Sequence, residues 1–394
     1  MYPVTLRDLL DAALFGTPIL ISLFSVADMQ NFRYLKIKSL LSRSSLKISL
    51  QKGAGKIIPV EQAGVSPLQF RLEDHLLTIA DILLKALERR ASLHTNPDTD
   101  CYRLFHLGGD GIEGLTIDRY GSYILIQFFE TELFSRLEEI RGVLPGVLKA
   151  AGLPFRGILL KDRTRISSAQ IAELRKSRLL TGEEPPAGYI CMQNGIRAAV
   201  DLREGQNTGL FLDMRQIRER LAPYLRETPR LLNLFCYTSL FSVFALKNGC
   251  RRAINIDLSK SALQRSRENY ALNGLPVDER DFVQGDVKEW LKILRKKGEC
   301  FSLVIYDPPT FSRHQKRTFS VKRDYPMHLS VISEIAAGGY ALSAVNSHSL
   351  SKEMYLSFHP PGWKPVFLAS ESDDFPSGDH PYLKAGLWKI PDGQ

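Results

Sequence analysis

Residues 201–394 predict an α/β domain built on a parallel, doubly wound sheet. Two observations carry this. Short apolar runs at 231–235, 253–256 and 303–306 alternate with helical patterns at 241–248, 260–273 and 287–297. Before about residue 200 the rhythm differs, which sets apart a smaller α+β domain over 71–200 and a short basic segment over 1–70.

The elements follow in chain order. The apolar stretch from Ala12 to Ala27 contains Gly16 and Pro18 and is shorter than the ~20 residues that span a bilayer. Its upstream flank carries Asp8 and Asp11 with only Arg7, a poor start for a signal peptide. A start of translation at Met29 is an alternative reading of this leader. Arg33, Lys36, Lys38, Arg43, Lys47, Lys52 and Lys56 follow with no acidic residue among them. The alternation in 46–50 predicts a strand and Gly53-Ala54-Gly55 a turn, giving a basic element that touches phosphates or merely faces solvent.

A helix is expected over Glu73–Leu93, where Leu76, Ile79, Leu83, Leu84 and Leu87 recur at helical spacing; Asn96-Pro97-Asp98 breaks it. Strands are expected from Tyr102 to Phe129, with a turn at Gly108-Gly109-Asp110-Gly111. A helix over 132–151, a strand over 157–161 and a polar loop to Pro186 complete this part.

The net charge of +9 favours an anionic partner. Cys101, Cys191, Cys236, Cys250 and Cys300 are odd in number and never form a CxxC pair, which argues against a disulfide framework or a zinc site and fits a reducing cytoplasm.

In a doubly wound sheet, ligands sit beyond the carboxyl ends of the strands. Four loops there carry the chemistry. The strand 231–235 runs into Cys236-Tyr237-Thr238-Ser239, a loop able to hold a cofactor against backbone amides. Asp257 ends the next strand, where a carboxylate suits two ribose hydroxyls or caps the following helix. Asp286, ahead of Val287, accepts from an adenine amino group or caps its own helix. In Asp307-Pro308-Pro309-Thr310-Phe311 the prolines stiffen the turn and leave carbonyls free to accept, while Phe311 offers a face to an unstacked base.

With these residues in place, the region from about 102 to 390 resembles the bacterial large-subunit ribosomal RNA methyltransferases of the RlmI/RlmK type. The resemblance rests on the 232–238 loop, Asp257, Asp286 and the Asp307-Pro308-Pro309 turn. Further support comes from 108–111 with 115–121, from the signature 205–215 and from His380-Pro381-Tyr382-Leu383-Lys384-Ala385-Gly386. It implies a Rossmann-like class I methyltransferase domain with S-adenosylmethionine as cofactor and ribosomal RNA of the 23S type, free or in precursor particles, as partner. Carried over residue by residue, cofactor contacts fall on Gln206, Thr208, Phe211, Asp213, Arg215, Asn233, Phe235, Tyr237, Thr238, Ser239, Asp257, Asp286 and Val287. Catalytic positions fall on Asp307, Pro308, Pro309, Thr310 and Phe311. The family usually has Gly where this chain has Ser239, so a narrowed pocket or weakened cofactor binding is one expectation.

Methylation at pyrimidine C5 needs a thiolate adduct. RlmI-like members place a cysteine in the late strand–loop that here reads Ala344-Val345-Asn346-Ser347-His348-Ser349-Leu350, and Thr310 follows the prolines. The RlmK-like half shows a turn similar to 308–312 and a string similar to Phe319-Ser320-Val321-Lys322-Arg323-Asp324. Direct transfer to guanine N7 is therefore preferred, with cytosine C5 and a non-catalytic assembly factor as rivals. Arg313, His314, Lys316, Arg317, Lys322 and Arg323 form a basic loop that clamps RNA phosphates or is simply solvated. His314 and His348 lack metal-ligand spacing, and no metal or membrane is expected.

Overall fold

The computed structural model describes residues 78–164, 176–205, 207–309, 320–378 and 381–393 in full, and the strands at 19–21, 34–38, 47–51, 57–59, 313–314 and 317–318 by their backbone. The chain forms two compact units, Met1–Leu76 and Leu77–Gln394.

The first unit contains β1 (Ile19–Ile21), β2 (Tyr34–Lys38), β3 (Lys47–Gln51) and β4 (Ile57–Pro59), antiparallel and in sequential order. β1 thus lies inside the apolar 12–27 stretch, and β3 occupies the strand expected over 46–50. The pairs Lys36↔Ser49 and Lys38↔Lys47 place three lysines on one face of the sheet, because residues two apart share a face. The expected turn at 53–55 lies outside the described residues. No helix among the described residues is long and apolar enough to cross a membrane.

The second unit opens with α1 (Ile79–Glu88), which starts later than the Glu73 expected because Thr78 and Asp81 form a reciprocal capping box. A short α2 (Ala91–His94) follows. Then come β5 (Cys101–His106), β6 (Leu115–Tyr120), β7 (Tyr123–Phe128), α3 (Leu137–Ala150), β8 (Gly157–Asp162) and β9 (Arg178–Gly182). These five strands form one sheet in sequential order, antiparallel except for β7 and β8, which α3 connects as a parallel pair. β9 corrects the loop expected up to Pro186. It is an edge strand of half-exposed residues, so it has no apolar run to announce it.

Ile117, Ile124, Ile126 and Leu160 on one face pack with Ile79, Leu83 and Leu144 of the helices. Leu125 and Leu159, on the other, join Leu202 and Leu210 in a core shared with the C-terminal sheet. Between the sheets lies a hairpin of β10 (Tyr189–Gln193) and β11 (Ile196–Val200). Its Asn194-Gly195 turn has both residues at positive φ, 55° and 71°, as a tight hairpin requires.

After α4 (Arg215–Leu221) the expected alternation appears: β12 (Arg230–Leu234), α5 (Leu240–Lys247), β13 (Arg252–Asp257), α6 (Lys260–Leu272), β14 (Phe282–Gln284), α7 (Val287–Lys296) and β15 (Leu303–Tyr306). A two-stranded ribbon, β16 (Arg313–His314) with β17 (Arg317–Thr318), precedes α8 (Val321–Ile335), β18 (Tyr340–Asn346), α9 (Lys352–Ser357), β19 (Lys364–Ala369) and β20 (Leu383–Lys389). The sheet order is β14-β13-β12-β15-β18-β20-β19, parallel up to β18 and antiparallel for the last two strands. Strand order reverses between β12 and β15, so the crevice for a ligand opens at the carboxyl ends of these two strands.

Candidate functional site

The loop leaving β12 has an unusual backbone. Phe235, Tyr237 and Ser239 all sit in the left-handed region, at φ 56°, 50° and 58°. Each costs on the order of 1 kcal/mol for a residue with a Cβ, so the surroundings must hold the loop. The amide of Tyr237 donates to Asp257 Oδ2 at 2.9 Å, and that of Cys236 to the Ile256 carbonyl at 3.1 Å. Thr238 Oγ1 donates to the Gly209 carbonyl at 2.7 Å, and Asn269 donates to the Thr238 carbonyl at 2.9 Å. The buried hydroxyl of Ser239 donates to Ser266 on α6 at 2.8 Å.

Asp257 also accepts the Ser259 amide on its other oxygen at 2.8 Å, while Ser259 itself caps α6. It is half-buried, and both oxygens retain lone pairs for further donors. Asp286 is exposed and caps α7, taking the Lys288 amide at 2.8 Å. Beside this loop the exposed ring of Phe211 meets Tyr237 at 5.3 Å between centroids.

The signature after β11 supplies the rest. Thr208 is buried and its hydroxyl bonds with that of Tyr120 at 3.1 Å. Gly209 has φ 109°, and a Cβ there would meet the Ala199 carbonyl and the Arg265 guanidinium at about 3.0 Å, so the close approach requires glycine. Asp213 is buried and accepts the hydroxyl of Tyr382 at 2.9 Å; burial pushes its carboxyl up. Half-buried Asp307, at the end of β15, is pushed up to about 7 by loss of water and, secondarily, by the charge of Asp213. Its carboxylate has no hydrogen-bond donor among the described residues. Pro308 is buried and Pro309 exposed, whereas Gln206, Thr310 and Phe311 lie outside the described residues.

Phe211, Asp213, Phe235, Tyr237, Asp257, Asp286 and Asp307 therefore gather around the carboxyl ends of the strands. The hydroxyls of Thr208, Thr238 and Ser239 are buried and spent on protein partners, and Asn233, Arg215 and Val287 point elsewhere. Asn233 donates to Ser242 at 2.9 Å within a buried chain that continues to Asn255 and Tyr270. Arg215 is bound to Asp374 at 3.1 Å and Glu219 at 3.2 Å. Val287 packs in the core beneath α7.

Tyr382, His106 and His348, which carry no role in the sequence reading, adjoin this region through Asp213 and ring contacts. The buried His106 ring lies 6.1 Å from that of Tyr382 and bonds to Arg103 at 2.8 Å; burial and the nearby guanidinium hold it neutral, with a pKa of about 3. The 380–386 string was visible in the sequence, but the contact of Tyr382 with Asp213 was not. The fold also joins two cysteines that the sequence keeps far apart. Ligand atoms of Asp100, Cys101 and Cys191 lie within 4.8 Å of one another, with the Cys101 thiol kept protonated by burial.

A doubly wound sheet with a strained loop and strand-end acids at its switch point defines a class I methyltransferase domain. Residues 102–363 match the family of S-adenosylmethionine-dependent methyltransferases, and the chain belongs to that family. A Bacillus subtilis protein named as a ribosomal RNA large subunit methyltransferase, YwbD, is 33% identical over 70% of this chain and 68% of its own. Ribosomal RNA large subunit methyltransferase I of Photobacterium profundum is 34% identical over 61% of this chain and 59% of its own. Among solved structures, a methyltransferase complexed with SAH superposes with a TM-score of 0.71 at 27% identity, over 80% of this chain and 83% of its own. A SAM-dependent methyltransferase from Streptococcus mutans gives 0.70 at 26% identity, over 80% and 82%.

Proposed function

We propose that this chain methylates a base of large-subunit ribosomal RNA, at guanine N7, by direct transfer. The RNA half of the reading draws on the relatives named above, on the net charge of +9 and on the lysine-bearing face of β2 and β3. The base and atom rest on chemistry.

The observation that carries direct transfer is the state of the thiols. Cys101, Cys191, Cys236 and Cys250 are buried, and exposed Cys300 lies before β15, at the amino end of that strand. Cys236 is the one cysteine in the cofactor loop. Burial, followed by the charge of Asp257, drives its thiol far above the usual range, so no thiolate is ready to attack a pyrimidine ring.

S-adenosylmethionine suits the crevice at the switch point, where Asp257 retains acceptor capacity for ribose hydroxyls. Asp286 would take the adenine amino group and the Phe211–Tyr237 pair would flank the cofactor. Bound there, it supplies a sulfonium methyl to an in-line nucleophile. Guanine N7 has a lone pair and no proton, so the protein need only align it and exclude water. Asp307 would accept from the N–H edge of the purine and offset the positive charge that N7 methylation leaves on the ring. The prolines hold that carboxylate in place. Thr310 and Phe311, next in the sequence, would meet the base, and the basic string from Arg313 to Arg323 would grip the flanking phosphates.

The test is methyl transfer to large-subunit RNA from a strain lacking the gene, with the product nucleoside identified by mass spectrometry. 7-Methylguanosine is the expected product. 5-Methylcytidine would overturn the reading.

A further inference from the structure

We infer that His348 contacts the target base and selects guanine, donating a hydrogen bond to O6 while Asp307 takes the opposite, N–H edge. This rests on the guanine reading above and adds to it a residue that sets specificity.

The argument starts from strand register. β15 and β18 are adjacent and parallel, paired Tyr306↔Ser343, so the segments that leave their carboxyl ends emerge side by side. β15 stops at Tyr306 and delivers Asp307 directly, whereas β18 runs on to Asn346. The longer strand therefore forms a wall beside the Asp307-Pro308 shelf. Its loop is pinned: the Ser347 amide donates to the Tyr382 carbonyl at 2.8 Å, and Lys384 Nζ donates to the Ser347 carbonyl at 2.7 Å. The next residue is His348.

Its ring lies 5.4 Å from that of Tyr382 at an angle of 40°, and it is exposed. Tyr382 in turn reaches Asp213, whose charge is felt by Asp307. Tyr382 thus links His348 to Asp213 by direct contact, and Asp213 lies near enough to Asp307 for its charge to act there. Among the described residues, His348 has no hydrogen-bond partner, while the histidine behind it, His106, is buried and occupied by Arg103. The imidazole is held by packing and its polar edge is left for something else.

The pattern of groups matches one base. Guanine offers O6 as an acceptor beside N7 and carries N1–H and N2–H donors on its other edge, whereas adenine has an amino donor where guanine has O6. A donor near N7 and a carboxylate facing away from it therefore read guanine and reject adenine. An imidazole can supply that donor in either its neutral or its cationic form.

The test uses the full chain and a short synthetic RNA spanning the methylated position, mapped first on large-subunit RNA. The RNA is made with guanine or with 6-thioguanine at the target, which keeps N1–H and N2–H but replaces O6 by a weakly accepting sulfur. His348→Ala is expected to lower kcat/KM on the guanine RNA by about tenfold, the size of one lost hydrogen bond, and to have a much smaller effect on the 6-thioguanine RNA. His348→Asn, which keeps an N–H donor, should recover part of the loss. Equal losses on both RNAs, or none on either, would overturn the inference. Wild-type formation of 5-methylcytidine would instead defeat the guanine reading itself, and the two failures are told apart by the product nucleoside.

Discussion

Tyr382 donates its hydroxyl to the buried carboxylate of Asp213 at 2.9 Å, joining residues 169 positions apart. The bond ties the last strand of the sheet to the signature turn beside the crevice. Tyr382→Phe leaves that acceptor short of a donor. It should cost about 1–3 kcal/mol of stability, read from urea unfolding. The same variant should move the pH profile of turnover to lower pH, because Asp213 then ionises less readily and opposes the Asp307 carboxylate less.

Asp307 sets the pH response. Its carboxyl is raised from 3.8 to about 7 in the folded chain, so activity that needs the carboxylate as acceptor should rise with pH and level off above about 7. Asp307→Asn should flatten that profile in kcat/KM. Stability should move the opposite way. The native state holds this proton more tightly than the unfolded chain does, so its contribution is complete below about pH 4 and is lost as pH climbs through 7. Denaturant midpoints across that range should fall in the wild type and change less in the variant.

Ser239 occupies a left-handed position and compensates with one hydrogen bond to Ser266. Ser239→Ala loses the bond and keeps the strain. Ser239→Gly loses the bond and relieves the strain, so it should be about 1 kcal/mol more stable than the alanine variant. Because the wild-type hydroxyl turns toward α6, calorimetry should detect S-adenosylmethionine binding to the unmodified protein. A complete lack of heat would favour a degenerate, non-catalytic site.

Asp110 is a buried anion that serves several donors. Arg90 reaches it at 2.6 Å and Arg89 at 2.9 Å, and the His106 amide donates at 2.7 Å. Arg90 also donates to the Asp374 carbonyl at 2.7 Å, so the group joins the middle sheet to the C-terminal domain. Asp110→Ala would strand the buried Arg90 charge and should cost about 3–5 kcal/mol, with Asp110→Asn costing less. The shift in urea midpoint measures both.

Much of this was legible in the sequence, for stated reasons. Central strands β12, β13 and β15 are largely buried and read as apolar runs, and α7 among the helices between them keeps a clear 3.6-residue period. β9 was missed because an edge strand needs no apolar run. The β10–β11 hairpin left a signal in Asn194-Gly195 that periodicity alone does not weigh. In the site, the loop and its acids were found by their position at strand ends. Their alternatives were not separable, and the structure shows why: Asp257 serves both the loop and the start of α6, and Asp286 does cap its helix. Asn233 and Arg215 match the family string, yet their side chains are absorbed by buried partners. Such commitments depend on distant residues, as with Asp374 for Arg215, and no local pattern reveals them. The meeting of Asp213 with Tyr382 belongs to the same class.

β20 lies between β18 and β19, two strands that precede it in the chain. Until residues 383–389 have been synthesised, the sheet therefore has a gap rather than an unfinished edge. β19 has no hydrogen-bonding neighbour in that state, and the apolar side chains of Leu383, Ala385 and Leu387 are missing from the core. The sheet of this domain therefore cannot be completed in the order in which its strands occur in the chain. β19 can take its place at the edge only once the later β20 has paired with β18.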